Sequence, residues 1–89
     1  MNDLVAQIEL ALATVQRTLD LLTTRGHDEA AYEIAKLQFS ANMRASWPGN
    51  LGPLASCLER IAGDMGLSLT EADRTAARDA GAVLRKMIG

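Results

Sequence analysis

Six apolar residues open the chain in heptad-like steps: Leu4, Ile8, Leu12, Val15, Leu19 and Leu22, separated by four, four, three, four and three positions. That stepping keeps one stripe on one side of an α-helix. The spacing predicts a first helix over residues 3–25. Asn2 or Asp3 caps its first amides, Gly26 ends it, and Arg25 sits in the last turn, where the helix dipole favours a cation. Thr14, Thr18, Thr23 and Thr24 make the segment a mediocre helix former. Packing of the stripe must therefore hold it, and Leu12 and Leu19 are expected to be buried.

The rest of the chain repeats the helical period and never alternates as a strand does. After a turn at Gly26-His27-Asp28, capped by Asp28 or His27, a second helix carries Ala30, Ile34, Leu37 and Ala41, broadened by Tyr32, Phe39 and Met43. The short connection makes helices one and two an antiparallel hairpin, residues 3–45. Two Pro and two Gly within Ser46–Pro53 mark a loop, residues 46–52. Pro53 suits the first position of a third helix, 53–65, with Leu54, Leu58, Ile61 and Met65 as its stripe and Gly66 as its stop. Ser68 to Glu71 reads as a capping box, with Thr70 to Asp73 as the shifted alternative. A fourth helix, 69–88, has its seam at Ala72, Ala76, Ala80, Val83, Leu84, Met87 and Ile88. Its first half is thin in large apolar groups, so it buries shallowly or packs tightly. The fold class is all-α: one small antiparallel bundle of about four helices in two hairpins.

Eighty-nine residues make one small domain with a marginal core. Pairing is a common remedy, so a homodimer is expected. The net charge of −2 and pI near 5.2 argue against a general polyanion binder. The charge is uneven: residues 1–33 hold six acids against Arg17 and Arg25, a net −4, which leaves +2 for residues 34–89. The single Cys cannot form an internal disulfide, which suits a reducing compartment. The start Met1-Asn2-Asp3 has no basic region of a secretory signal, and no apolar run approaches the roughly 18 residues of a membrane span. A cytoplasmic location is the expectation.

Few residues offer chemistry. His27 lies in a turn without an evident nucleophile, and reads as a cap or an exposed ring. Cys57 falls on the third helix's stripe, with Arg60 the one nearby cation, and reads as core. Glu29 and Glu33 stand at i, i+4, but bundle metal sites pair such acids with histidines on facing helices, and there is no second His. No catalytic, cofactor or metal residue is assigned. Trp47, beside Pro48, is either a plug at the bundle end or a partner anchor, with the plug preferred.

The expected function is a non-enzymatic interaction module, an adaptor, chaperone-like or accessory protein. It would act through apolar helix faces on a protein partner or a second copy, with no cofactor and no small-molecule substrate. Candidate contact residues are Trp47, Leu51, Val5, Leu21, Arg74, Arg78 and Arg85. The alternative is a DNA-binding helix-turn-helix over residues 58–78. Ala62 would precede the turn glycine, Gly66, and Ser68, Thr70, Arg74 and Arg78 would face a groove. Glu71, Asp73 and Asp79 on the same helix would repel phosphates, so nucleic acid is the lesser expectation.

Overall fold

The computed structural model describes residues 3–43 and 51–88. Four helices fill them: α1 (Asp3–Thr24), α2 (Asp28–Met43), α3 (Leu51–Gly63) and α4 (Glu71–Ile88). Each helix packs on two neighbours in the ring α1–α2–α3–α4. The α1–α2 turn and the α3–α4 connection lie at one end of the bundle, where residues 25 and 27 meet residues 68 and 73. The helices therefore run up, down, up, down. At 1.5 Å per residue α1 spans about 33 Å, nearly the full 36 Å long axis of the molecule. Among the described residues no helix is long and apolar enough to cross a membrane.

The turns use local chemistry that is visible in the residues. Gly26 takes φ +80°, the left-handed region that only glycine adopts cheaply. The Gly26 N–H donates to Thr23 O at 3.2 Å and the His27 N–H to Leu22 O at 2.9 Å, the paired bonds of a Schellman C-cap. The His27 carbonyl then accepts from the Ala31 N–H, so His27 is the first capping residue of α2. At α4 the reciprocal box is Thr70–Asp73. The Asp73 N–H donates to Thr70 Oγ1 and the Thr70 N–H to Asp73 Oδ2, both at 3.1 Å. The Ser68–Glu71 alternative is not the one formed.

Several expectations shift. The buried stripe of α1 is Ala11, Val15, Thr18 and Leu22, while Leu12 and Leu19 are only partly buried against it. α1 meets both α2 and α4, and its buried line mixes small Ala11 and Thr18 with Val15 and Leu22, while Leu12 and Leu19 flank it. In α2 the core is Ala31 and Ile34, with Leu37 partly buried; Tyr32 and Phe39 point to solvent. α3 begins two residues early, at Leu51, and stops at Gly63. Pro53 still lies in the first turn, where amides have no helical partner. Met65 falls in the turn and is 82% exposed rather than part of the stripe. In α4 the buried line is Arg74, Ala77, Ala80, Gly81 and Leu84, and Ala72 is exposed. In the thin first half of α4 only Arg74 and Ala77 are buried; the close approach comes further on, where a Cβ at Gly81 would stand 3.3 Å from the carbonyl oxygen of Ala55 on α3. Asn2 lies outside the described residues, as do the side chains of Leu4, Ala41, Met43 and Ile88.

Candidate interaction surfaces

The turn end is stitched by side chains from both hairpins. Arg25 donates to the Ser68 carbonyl and reaches Asp73 Oδ2 at 3.4 Å; the Ser68 N–H donates to His27 Nε2 at 3.1 Å. The imidazole is thus a positioned acceptor, neither free nor a helix-capping group. Beneath these turns lies an open cleft of about 560 Å³ between α2 and α3. His27, Asp28, Glu29, Glu33, Arg60 and Asp64 line its polar wall, with Ala30, Ile61 and Leu67 supplying apolar surface.

Cys57 lies behind this wall, with no solvent exposure. Its Sγ stands 3.6 Å from Glu33 Oε1, which also accepts from Arg60 at 2.5 Å. Burial, reinforced by the Glu33 charge and opposed by Arg60, pushes the thiol up from 9.0 to about 11. A neutral buried thiol is a weak nucleophile. Among the described residues no His, Cys, Asp and Glu side chains gather as a set that could hold a metal ion.

Arg74 is 6% exposed and points into the molecule. Its guanidinium donates to the carbonyls of Ala62 at 3.0 Å, Asp64 at 2.9 Å and Leu67 at 2.9 Å. It closes the C-terminus of α3, where unpaired carbonyls carry the negative end of the helix dipole. Arg74 therefore leaves the set of surface contacts, as does Leu51, which is fully buried at the start of α3. The Thr70 hydroxyl is likewise engaged within the chain, by the Asp73 N–H, so two of the four groove side chains of the helix-turn-helix alternative, Thr70 and Arg74, have intramolecular partners, and Ser68 is held through its backbone. The α3–α4 connection, residues 64–70, is also longer than the three or four residues of that motif's turn.

The other candidates divide. Val5 is 51% exposed, Arg78 is exposed and Leu21 is half-buried. Arg85 is bound on one side: its Nε and Nη2 meet Glu59 Oε2 and Oε1 at 2.7 Å each, and Nη2 also donates to Ser56. Trp47 lies outside the described residues. What sequence reasoning missed is an aromatic face on α2. Tyr32 and Phe39 are seven positions apart, hence on one side of the helix, and are 70% and 67% exposed. Lys36 stands between them, its Nζ 5.6 Å from the Tyr32 ring centroid. The signal was available: Ala31, Ile34 and Leu37 already complete a stripe, and Tyr32, Lys36 and Phe39 form a second one. A smaller groove of about 210 Å³ lies between α1 and α4, with Leu10, 69% exposed, on its rim beside Gln7, Thr14, Ala76, Asp79 and Val83.

No family model, curated protein or solved structure matches the chain.

Proposed function

We propose that this chain is a protein–protein interaction module, working as an adaptor or accessory protein through apolar helix faces rather than as an enzyme. The observation that carries the reading is the pair Tyr32 and Phe39, two aromatic rings held outside the core on one face of α2. Aromatic side chains are enriched at the centres of protein interfaces, where they bury large rigid area at low entropic cost. Leu10 and Val5 are further exposed apolar residues, on α1. The residues with chemical potential support the same reading. The Cys57 thiol is neutral and enclosed, and the His27 acceptor is engaged by Ser68. An enclosed single thiol also suits a reducing, cytoplasmic setting.

The test combines sedimentation velocity at micromolar concentration with photo-crosslinking from position 39 in the native cell. Self-association that Tyr32→Ser with Phe39→Ser removes, or a specific adduct from position 39 that Tyr32→Ser removes, in either case without loss of helical circular dichroism, is the expected result. A strict monomer that yields no adduct from position 39 overturns the reading.

A further inference from the structure

The outward side of α1 carries a charge pattern that is its own complement. Val5, Glu9, Ala13, Arg17 and Leu21 follow one another at four-residue intervals. Ala13 stands nearly opposite the buried line Ala11, Val15, Thr18 and Leu22 at 3.6 residues per turn. Glu9, Ala13 and Arg17 are exposed, Val5 is 51% exposed and Leu21 is half-buried. Among the described residues Glu9 and Arg17 make no ion pair; those present are Arg25–Asp73, Arg60–Glu33 and Arg85–Glu59. Eight positions apart on one helix, Glu9 and Arg17 cannot reach each other.

We infer that α1 pairs, antiparallel, with α1 of a second copy about a two-fold axis at Ala13. The inference rests on the interaction-module reading and names its occupant on this face. A two-fold axis there places Glu9 against the other copy's Arg17 twice. It also places Val5 against the other copy's Leu21 twice, and Ala13 against itself. A row of i, i+4 residues runs at a shallow angle to the helix axis, so two copies related by the two-fold can lie along each other through the crossing at Ala13. Alanine at the crossing lets the two backbones approach. An isologous two-fold contact requires such self-complementarity, and a partner of other sequence would not. The exposed Leu10 stands beside the row and would be covered from the same side. One helix pair buries less than the roughly 800 Å² per partner of a standard interface, which puts the contact in the weak, reversible class and calls for measurement from micromolar concentration upward.

The experiment is sedimentation equilibrium on the full chain and on surface variants of α1. Glu9→Arg or Arg17→Glu alone places like charges together twice and should weaken the dimer at least about ten-fold. The double change E9R with R17E restores the pairs and should recover the original affinity. Ala13→Cys under oxidised glutathione should form a disulfide-linked dimer, because the two Cβ atoms meet at the axis. Ala6→Cys, also exposed but far from its symmetry mate, should remain unlinked. A dimer insensitive to both single charge reversals, or linked equally by Ala6→Cys and Ala13→Cys, overturns the α1 axis. If such a dimer is instead abolished by Tyr32→Ser with Phe39→Ser, the module reading stands while this inference fails. A strict monomer at 100-fold concentrations above the micromolar range also overturns it.

Discussion

His27 and Ser68, 41 residues apart in sequence, are joined by a 3.1 Å hydrogen bond in which the Ser68 backbone N–H donates to the imidazole Nε2. The bond ties the α1–α2 turn to the α3–α4 turn, and Arg25 doubles the link through the Ser68 carbonyl. His27→Ala leaves the Ser68 N–H to solvent and should cost about 0.5–1.5 kcal/mol, the usual net worth of one hydrogen bond. Urea denaturation measures the cost, and faster amide exchange at Ser68 localises it. An unchanged midpoint together with unchanged exchange would show that the two turns do not depend on each other.

Arg74 should matter more. It supplies three carbonyls at the end of α3 and is almost wholly enclosed. Arg74→Ala deprives all three of their donor and opens space beneath α4, a loss of at least about 2 kcal/mol for charge-assisted bonds. Arg74→Lys keeps the charge but not the planar fork, and should recover only part of the loss. Equal stability of the Lys and wild-type proteins would contradict a role that depends on the fork.

Gly63 and Gly81 should respond differently to alanine. Both lie in helices, where alanine is intrinsically favoured by up to about 1 kcal/mol. A Cβ at Gly63 meets nothing within 4 Å, so Gly63→Ala should stabilise by about 0.4–1 kcal/mol. A Cβ at Gly81 stands 3.3 Å from the Ala55 carbonyl oxygen and 3.4 Å from Glu59 Cγ. The backbone atom cannot swing aside, so Gly81→Ala should gain nothing, and Gly81→Leu should cost about 1–3 kcal/mol by overpacking. Thermal unfolding of the three variants checks the contrast.

The helical period was legible because each helix buries one side, and that side recurs every three or four residues. The centre line was harder to read. Leucine identity draws attention to Leu12 and Leu19, yet the buried line runs through small Ala11 and polar Thr18 as well as Val15 and Leu22, and hydropathy does not single out the first two. Tyr32 and Phe39 were misplaced for a related reason: hydropathy assigns aromatic rings to a core, whereas Ala31 and Ile34 had already filled it. Arg74 occupies a core position on the period of Ala77, but its charge class hides a residue whose partners are carbonyls. The clasp of Arg25 and His27 onto Ser68 spans more than forty residues, and no local pattern encodes such a meeting.

Asp73 gives the fold an acid limit. The Thr70 backbone N–H first, then the Thr70 hydroxyl region and the Arg25 guanidinium, hold its carboxyl below the ordinary 3.8. Because the folded form binds the proton less readily than the unfolded chain, the stabilisation is present above the ordinary carboxylate range. It is lost as pH falls through the depressed folded value. Glu59, lowered by Arg85, adds in the same direction. Urea midpoints should hold steady from pH 7 to about 5 and drop below about pH 4. Asp73→Asn should be less stable at pH 7 and show a shallower acid limb. An acid limb of unchanged steepness would assign the loss to other carboxylates.

The Cys57 thiol should report global unfolding. Its Sγ is fully buried, touches Glu33 and is pushed up to about 11, chiefly by burial and then by the Glu33 charge. Reaction with a thiol reagent needs both access and a thiolate, and the fold withholds both. At pH 8 native labelling should therefore be slow and should accelerate with urea in step with loss of helical signal. The sign of the linkage adds a second check. A thiol raised above its unfolded value of 9.0 favours the protonated native state, so its stabilising share is intact below about 9 and is lost as pH climbs toward 11. Cys57→Ala removes that alkaline dependence while leaving the acid limb in place. Glu33→Gln should ease the thiol downward by removing the neighbouring negative charge and should speed labelling only in proportion to the thiolate gained. Labelling at the free-thiol rate in the absence of urea would mean that the α2–α3 seam opens without unfolding.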